Sequence, residues 1–212
     1  RGRHGVAGGR VVLGSGSFSR KALLTQLLGP RVAWDVAAAD IDERALGDRA
    51  GCPEDLVRLL ASAKAEALLG RPGALPPGAS LLVTADQVVV HEGAVREKPA
   101  GVAEARRFIE GYSRSPARTV GCLRVTDVRS GVCAESLDLA EVEFGPIPQE
   151  AVDTMVAEGT CLKCAGGLMV ESPHVTPHVR EVRGSLSSVM GLGHSTLAAL
   201  LERVASGGAG EA

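Results

Sequence analysis

The sequence predicts an α/β fold, in which apolar strands alternate with amphipathic helices. Two stretches carry this prediction. Residues 11–13 form an apolar strand that leads through a Gly/Ser loop into an amphipathic helix, and residues 81–90 are apolar on both faces, which is typical of a strand in the middle of an α/β sheet. The 212 residues, of which 45% are hydrophobic, can bury a substantial core. We interpret residues 10–204 as one domain.

Composition excludes several classes of protein. The net charge of −2, with both signs interspersed, argues against a nucleic-acid surface, which needs a local excess of Lys and Arg. No apolar run approaches the roughly twenty residues of a membrane helix, and no secretory segment is recognisable. We therefore expect a cytoplasmic protein that binds neither nucleic acid nor membranes. Residues 1–9, which begin without methionine and resemble the stub of a longer chain, and the tail 205–212 are expected to be disordered.

Local signals define the elements of the first half of the chain. They predict a helix over residues 19–28, a strand over 32–36, a helix over 53–70 and the strand over 81–90, which turns back at 92–93. Gly29-Pro30 ends the first helix, and Pro53 begins the second, whose apolar residues recur at helical spacing. Lys64 occupies a polar position of that helix, where a lysine is ordinarily solvated.

The second half continues the alternation. The predicted elements are a helix over residues 102–112, strands over 119–127 and 133–143, a helix over 148–157, a strand over 164–171 and a final helix over 196–204. Arg129-Ser130-Gly131 joins the first two of these strands as a hairpin. The strand over 164–171 contains two glycines that loosen it, and it leads to another acid, Glu171.

The loop after the first strand suits a phosphate ligand. Gly14 and Gly16 let backbone N–H groups approach a ligand closely. The helix that follows adds its positive end and the side chains of Arg20 and Lys21. We therefore expect phosphate groups to bind here.

Two alternatives for this loop stay open. It could be an ordinary strand-to-helix turn whose glycines only permit the geometry. It could also be a dinucleotide fingerprint that has lost its third glycine, because Ser19 stands in that place, with Asp40 and Asp42 about twenty residues further on as ribose-binding acids. A Walker loop is excluded, since no Gly-x-x-x-x-Gly-Lys-Ser/Thr run occurs.

Acidic side chains stand where strands are predicted to end or to be buried. Asp40, Asp42 and Glu43 repel one another unless a metal or a cationic ligand lies between them, although exposed acidic loops are common. Asp86 interrupts the buried strand, which is costly unless a cation compensates its charge. The returning hairpin brings Lys98 back toward Asp86. We therefore assign Asp86 a functional role.

The five cysteines indicate reduced thiols, because their number is odd and no secretion signal accompanies them. Cys161 and Cys164, followed by His174 and His178, have the order of zinc-finger ligands. The gap between the two pairs is shorter than a finger uses, and prolines interrupt the helix that would present both histidines. We expect buried free thiols rather than a zinc site or a redox pair.

Seven short segments, each weak alone, occur in a specific order. They are Ser15, Ser17 and Arg20, then Asp42-Glu43, Ala61-Ser62-Ala63-Lys64-Ala65, Asp86-Gln87-Val88, Lys98-Pro99, Ala165-Gly166 and Val189-Met190-Gly191-Leu192. In this order they resemble the Maf family of nucleoside triphosphate pyrophosphatases, from Val11 to about Leu201, and the plant-type branch most closely. The chain departs from the family at Phe18 and Ser19, where bacterial members carry Pro and then Arg or Trp, and at Gly193, which replaces the closing proline.

The resemblance implies an α/β fold with a long mixed sheet, flanking helices and two lobes around a central cleft, as in Maf and inosine-triphosphatase-like proteins, and it implies a homodimer. It also implies hydrolysis of a nucleoside triphosphate between its α- and β-phosphates, with Mg²⁺ or Mn²⁺, to a nucleoside monophosphate and pyrophosphate. Such a reaction would clear non-standard or modified nucleotides. A non-catalytic nucleotide-binding regulator is the competing class, but such a protein has little need of buried acids beside an anionic ligand.

The resemblance also implies roles for individual residues. The catalytic residues would be Asp86, Glu43, Lys98 and Lys64, the metal ligands Glu43 and Asp86, and the substrate-binding residues Ser15, Ser17, Arg20, Lys21, Gln87 and Glu171. The acids would hold metal and water, and the lysines would neutralise charge that builds up as the bond breaks.

Gln87 and Glu171 bear on the base. The family branch that acts on 7-methyl-GTP carries Gln and Glu at these positions, whereas the branch that acts on dTTP and UTP carries Thr and Gln. The chemistry agrees, because an ionised carboxylate only accepts hydrogen bonds and guanine offers two adjacent donors. We therefore expect a guanine-type nucleotide, with dTTP or UTP as the alternative. Few aromatic rings could stack on a base: Trp34, Phe18 and Tyr112 are candidates.

Overall fold

The computed structural model describes residues 9–207. Its strands are β1 (Arg10–Leu13), β2 (Trp34–Val36), β3 (Ala79–His91), β4 (Ala94–Arg96), β5 (Ala117–Asp127), β6 (Cys133–Phe144) and β7 (Val179–Arg183). Its helices are α1 (Phe18–Leu28), α2 (Pro53–Gly70), α3 (Val102–Gly111), α4 (Gln149–Glu158), α5 (Leu186–Val189) and α6 (His194–Ala205). Short 3-10 turns lie at Glu43–Ala45, Thr160–Lys163, Ala165–Gly167 and Thr176–His178.

The strands form one open, mixed sheet. Its order is β2-β1-β3-β5-β6-β7, and β4 pairs with β3 beside this path. β1 runs parallel to β2 and β3, whereas β4, β5, β6 and β7 pair antiparallel with their neighbours. The prediction of an α/β fold with a mixed sheet and flanking helices is therefore confirmed.

The central strand β3 is paired unequally along its two edges. One edge pairs with β5 from Leu81 to Val90. On the other edge, β1 reaches as far as Val83 and β4 begins at Val89, so that within the described chain no strand pairs with residues 84–88 there. We call this open stretch of edge, between β1 and β4, the notch. The notch separates β1 from β4 along this edge of β3, and the loop after β1 lies beside it.

Helices cover the two faces of β3 differently, because successive side chains of a strand point to opposite faces. On one face, Val83 belongs to a core with α1 and α6, and Val89 belongs to a second core with α3 and α4. On the other face, Leu82 and Val88 pack against α2. Two separate cores thus meet on one face at the level of Gln87.

The predicted strand over residues 164–171 is wrong. Within this segment Ala165–Gly167 form a 3-10 turn, residues 168–171 form no strand, and Gly166 has a φ of +62°. The N–H of Gly166 donates to the Glu97 carbonyl at 2.8 Å, and a Cβ there would stand 2.8 Å from the Val89 Cβ, so the close approach requires glycine. On the edge of β6 away from β5, the pairing strand is β7, which sequence reasoning missed because its charged, partly exposed residues lack a strong strand pattern.

The cysteine prediction holds only in part. All five thiols are free, and Cys122 and Cys161 are buried, but Cys52 is exposed and Cys133 and Cys164 are half-buried. Cys52 directly precedes the first residue of α2, at the N-terminal end of the helix, where the chain lies at the surface.

The predicted ends of the chain lie largely outside the described residues. Residues 1–8 and 208–212 are not described. The disordered tail was expected to begin at 205, but α6 extends through Ala205 and residues 206–207 form a turn. Within residues 9–207, no helix combines the length and the apolar character needed to cross a bilayer.

Candidate functional site

The loop after β1 lies at the start of the notch. The Gly14 N–H donates to the Val83 carbonyl at 2.7 Å, and a Cβ at Gly14 would stand 2.7 Å from the Thr84 Cγ2. Ser17 caps α1, since its Oγ accepts from the Arg20 N–H at 3.4 Å. Ser15 Oγ accepts from the Ser17 N–H at 3.3 Å. The loop therefore brings small polar groups and a helix N-terminus to the notch.

Arg20 reaches across from α1 into the notch. Its Nη1 donates to the Ala85 carbonyl at 3.0 Å and to Ser15 Oγ at 3.3 Å, and its Nε donates to the Gly191 carbonyl at 2.9 Å. Burial lowers the pKa of Arg20, while the charges of three nearby carboxylates, on Asp86, Glu43 and Asp138, oppose the shift. The guanidinium thus links the loop to the edge of β3. Lys21 is half-buried at the next position of α1.

A buried ion cluster lies on the α2 face of β3. Lys64 Nζ stands 2.5 Å from Asp86 Oδ1 and 3.1 Å from Glu43 Oε1. The side chains of Lys64 and Asp86 are each 9% exposed, whereas that of Glu43 is 44% exposed. Lys64 therefore differs from an ordinary solvated helix lysine, because α2 packs across β3 and directs this residue into the interior. Its charge compensates the buried acid that the sequence singled out.

The surroundings of Asp86 favour the protonated form of its carboxyl group. Burial raises the pKa of Asp86 above its ordinary value of 3.8. The positive charges of Lys64 and Arg20 oppose that shift, and the negative charge of Glu43 adds to it. A carboxylate in such surroundings takes up a proton more readily than one in water.

Gln87, the next residue, points to the opposite face. Its Nε2 donates to the Ser188 carbonyl at 2.8 Å and to the Val189 carbonyl at 3.3 Å. Because both amide hydrogens are used in this way, the carbonyl Oε1 remains as an acceptor. A Cβ at Gly191 would stand 3.0 Å from this oxygen, and Gly191 has a φ of +95°, so a glycine is required beside it.

Lys98 and Glu171 are both exposed, and both lie near Cys164. Burial, together with the charge of Glu171, raises the pKa of the Cys164 thiol to about 11, and Lys98 opposes this shift. The ammonium group paired with Asp86 belongs to Lys64 rather than to Lys98, which follows the end of β4. The cation beside the buried acid thus comes from a helix, and the approach of Lys98 to Asp86 stays a prediction.

Sequence reasoning missed three charged residues of this region. Arg49 and Glu97 form a bidentate ion pair, with Arg49 Nη2 3.1 Å from Glu97 Oε1 and Nε 3.2 Å from Oε2. Asp138 is buried in β6 and accepts from Ser188 Oγ and the Gly193 N–H, each at 2.8 Å. Asp138 could have been found from the sequence, because it is an acid within the apolar alternation of β6. No local sequence pattern pairs Arg49 with Glu97.

The donor set suits a metal ion that shares its ligands with a bound phosphate. Among residues 9–207 no group of three or more His, Cys, Asp or Glu side chains is placed to hold a metal. Glu43 and Asp86 supply two carboxylates on either side of Lys64. Mg²⁺ commonly binds through one or two carboxylates together with substrate phosphates, so these two residues fit such an ion.

The zinc-like residues have other contacts. The Cys161 thiol donates to the Met155 carbonyl at 3.4 Å, and the His174 Nε2 stands 3.1 Å from Glu158 Oε1.

Comparison with known proteins identifies similar sequences over most of the chain. A family model described as Maf-like protein matches residues 10–204. A 7-methyl-GTP pyrophosphatase of Dictyostelium discoideum is 31% identical over 197 residues, which cover 92% of this chain and 96% of that protein. A dTTP/UTP pyrophosphatase of Anaeromyxobacter dehalogenans is 35% identical over 196 residues, covering 92% and 93%. A nucleoside triphosphate pyrophosphatase of Chlamydia muridarum is 31% identical over 197 residues, covering 92% and 93%.

Proposed function

Because the chain belongs to the family of Maf-like proteins, we propose that it is a nucleoside triphosphate pyrophosphatase, a hydrolase that cleaves its substrate between the α- and β-phosphates. The products are a nucleoside monophosphate and pyrophosphate. The observation that carries this proposal is the buried cluster of Asp86, Lys64 and Glu43, which lies beside the loop of Ser15 and Ser17 at one notch in the sheet. Relatives with pyrophosphatase names, each covering nearly the whole chain, support it.

In this mechanism the loop binds the phosphates. The N–H groups at the start of α1 and the hydroxyls of Ser15 and Ser17 donate to phosphate oxygens. Arg20 and Lys21 add positive charge at the same end of the helix. Arg20 is already held by two backbone carbonyls, of Ala85 and Gly191, so it is oriented before substrate arrives.

The buried acid activates water. A water molecule attacks the α-phosphorus, the bond between that phosphorus and the bridging oxygen breaks, and Asp86 takes the proton of the water. The pKa of Asp86 is raised by burial, which makes it a better base, while the positive charge of Lys64 opposes this shift. Lys64 and Lys98 offset negative charge on the phosphates as the bond breaks.

Glu43 and Asp86 would hold a Mg²⁺ or Mn²⁺ ion together with the phosphates of the substrate. When bound, this ion supplies positive charge that neutralises the phosphates and lowers the pKa of water. Glu43 suits this role, because its side chain is 44% exposed and its Oε1 lies 3.1 Å from Lys64 Nζ.

The preferred substrate is a guanine-type triphosphate such as 7-methyl-GTP, and the activity clears modified nucleotides. The free acceptor of Gln87 and the carboxylate of Glu171 match the N1–H and N2 amino donors of guanine. The similarity to a 7-methyl-GTP pyrophosphatase supports this preference. The alternative is dTTP or UTP, which the name of the relative with 35% identity favours.

The proposal extends to assembly and compartment. The enzyme is a homodimer, as the resemblance implies. It works in the cytoplasm, and its five free thiols are consistent with a reducing compartment.

The test is to incubate the protein with a panel of nucleoside triphosphates and Mg²⁺, using substrate labelled at the γ-phosphate. We expect the label to appear as pyrophosphate and the unlabelled product as a monophosphate. Label released as free orthophosphate, without added pyrophosphatase, would refute the proposal. Tight nucleotide binding with no turnover would instead favour a regulator.

A further inference from the structure

We propose that Arg49 and Glu97 form a clamp that positions Glu43 at the notch. Neither side chain needs to touch the substrate, so both are positioning residues. This proposal rests on the proposed function, because it assigns the pair to the site of Glu43 and Asp86.

Arg49 holds the segment that carries Glu43. Its Nη2 donates to the Glu43 carbonyl at 2.7 Å, and its Nη1 donates to the Leu46 carbonyl. The same Nη1 lies 3.4 Å from the Gly47 carbonyl. Glu43 itself lies in a single 3-10 turn, outside the sheet and the long helices. The backbone of this turn therefore depends on the Arg49 guanidinium for its anchor.

Glu97 binds the Arg49 guanidinium from the β4 end of the notch. It directly follows the end of β4, and its backbone carbonyl accepts from the Gly166 N–H at 2.8 Å. Its two carboxylate oxygens accept from the Nε and Nη2 of Arg49. The pair thus joins the Glu43 turn to the end of β4 and to the 3-10 turn at Ala165–Gly167.

The clamp depends on an arginine at position 49 and on the partial burial of the Arg49–Glu97 pair. Two parallel hydrogen bonds to one carboxylate, with donors left for backbone carbonyls, are a geometry that lysine cannot reproduce. The side chains are 26% and 38% exposed, so solvent screens the pair less than it screens a surface pair. The hydrogen bond from Arg49 Nη2 to the Glu43 carbonyl places the clamp beside the ion cluster, and the hydrogen bond with Glu97 raises the pKa of Arg49.

Loss of the clamp should affect chemistry more than nucleotide binding. Arg20 and the loop after β1 do not contact the pair, so phosphate binding should persist. Residues that orient a metal ligand typically change activity or metal affinity by about 10–100-fold when they are replaced. We expect Arg49→Lys and Glu97→Gln to lower kcat and to raise the Mg²⁺ concentration needed for half-maximal rate by such a factor, with the KM for nucleotide within about twofold of wild type.

The experiment compares these variants with Arg118→Gln. Arg118 forms an ion pair with Glu54 at 3.1 Å, the same length as the clamp, but away from the notch. Each variant is assayed for kcat, KM, Mg²⁺ dependence, thermal unfolding and backbone hydrogen exchange over residues 43–49. We expect faster exchange in this segment for Arg49→Lys and Glu97→Gln only. The double variant should be no worse than Arg49→Lys alone, because that change already removes the link to Glu97 together with the bonds to the backbone carbonyls.

The outcomes separate the clamp from the proposed function. Folded clamp variants that keep kcat, Mg²⁺ dependence and exchange within twofold of wild type would overturn the clamp. A rise in KM alone would also overturn it, since the pair would then act in nucleotide binding. Wild-type protein that hydrolyses no nucleotide would refute the proposed function, and the exchange measurement would still decide whether Arg49 and Glu97 hold the Glu43 turn.

Discussion

Asp86 and Gln87 are adjacent in β3, yet their side chains contact opposite layers of the protein. Asp86 pairs with Lys64 of α2, and Gln87 donates to the backbone of α5. Because β1 ends before these residues and β4 begins after them, the edge of the strand is open between the two layers. Under the proposed function, the phosphates of the nucleotide would bind beside Asp86 and its base beside Gln87.

Asp86→Asn should lower kcat by a factor of about 10²–10⁴ with the fold intact, because the amide cannot take a proton from water. Glu43→Gln should have a similar effect through the metal. The comparison is Asp153→Asn, which changes an exposed aspartate that pairs with Arg106. Steady-state rates and circular dichroism decide the matter: a near-normal rate removes Asp86 from the mechanism, and an unfolded protein makes it structural.

The pH dependence of kcat/KM should depend on the charges around the Asp86 carboxyl group. Since its pKa is raised, the acidic limb of kcat/KM should lie above pH 3.8, the ordinary value for Asp. Lys64→Ala removes the main opposing charge, so the limb should move to higher pH. A limb that stays in place in a folded Lys64→Ala enzyme would show that another group controls it.

Stability should change with pH in the corresponding direction. The unfolded chain ionises Asp86 near its ordinary pKa and the folded chain does so at a higher pH, so between these values the folded protein binds the extra proton. The contribution of Asp86 to the free energy of unfolding should therefore be fully present below its ordinary pKa and fall as pH rises through the raised one. Denaturant unfolding of wild type and Asp86→Asn across this range measures the difference, and parallel curves would contradict it.

Gly193→Ala should destabilise the protein by about 1–3 kcal/mol through overpacking. A Cβ at this position would stand 2.3 Å from Asp138 Oδ1, and the N–H of Gly193 already donates to the same carboxylate. The matched control is Gly70→Ala, since a Cβ at Gly70 meets nothing within 4 Å. Thermal unfolding should show a lower Tm for Gly193→Ala alone, and equal Tm values would mean that the Asp138 site adapts.

Glu171→Gln, alone or with Gln87→Thr, should shift the substrate preference toward UTP and dTTP. A mismatch between the carboxylate and a carbonyl oxygen of the base, once the bound base excludes water, costs roughly 1–3 kcal/mol, which is about one to two decades in rate. Competition between GTP-type and pyrimidine substrates measures the ratio of kcat/KM. Wild-type enzyme that already favours the pyrimidines would refute the role of these two residues.

Local sequence patterns were sufficient for most of the fold. Pro53 is the first residue of α2, and the hairpin at Arg129-Ser130-Gly131 joins β5 to β6 as predicted. The ordered motifs led to the Maf family, and the family model confirms that assignment. These features depend on residues close together in sequence or on the order of segments, and both can be read without knowing how the chain packs.

The sequence by itself determined the α/β class, the Gly/Ser loop between β1 and α1 and the presence of an acid, Asp86, within an apolar strand. Only the tertiary structure decided that the compensating cation is Lys64 rather than Lys98, that Val179–Arg183 pairs with β6, and that Arg49 binds Glu97. Each of these contacts joins residues more than 20 positions apart, the last pair 48 apart. Such contacts arise when helices and turns pack on a divided sheet, and hydrophobic periodicity and turn signals report only the local part of that packing.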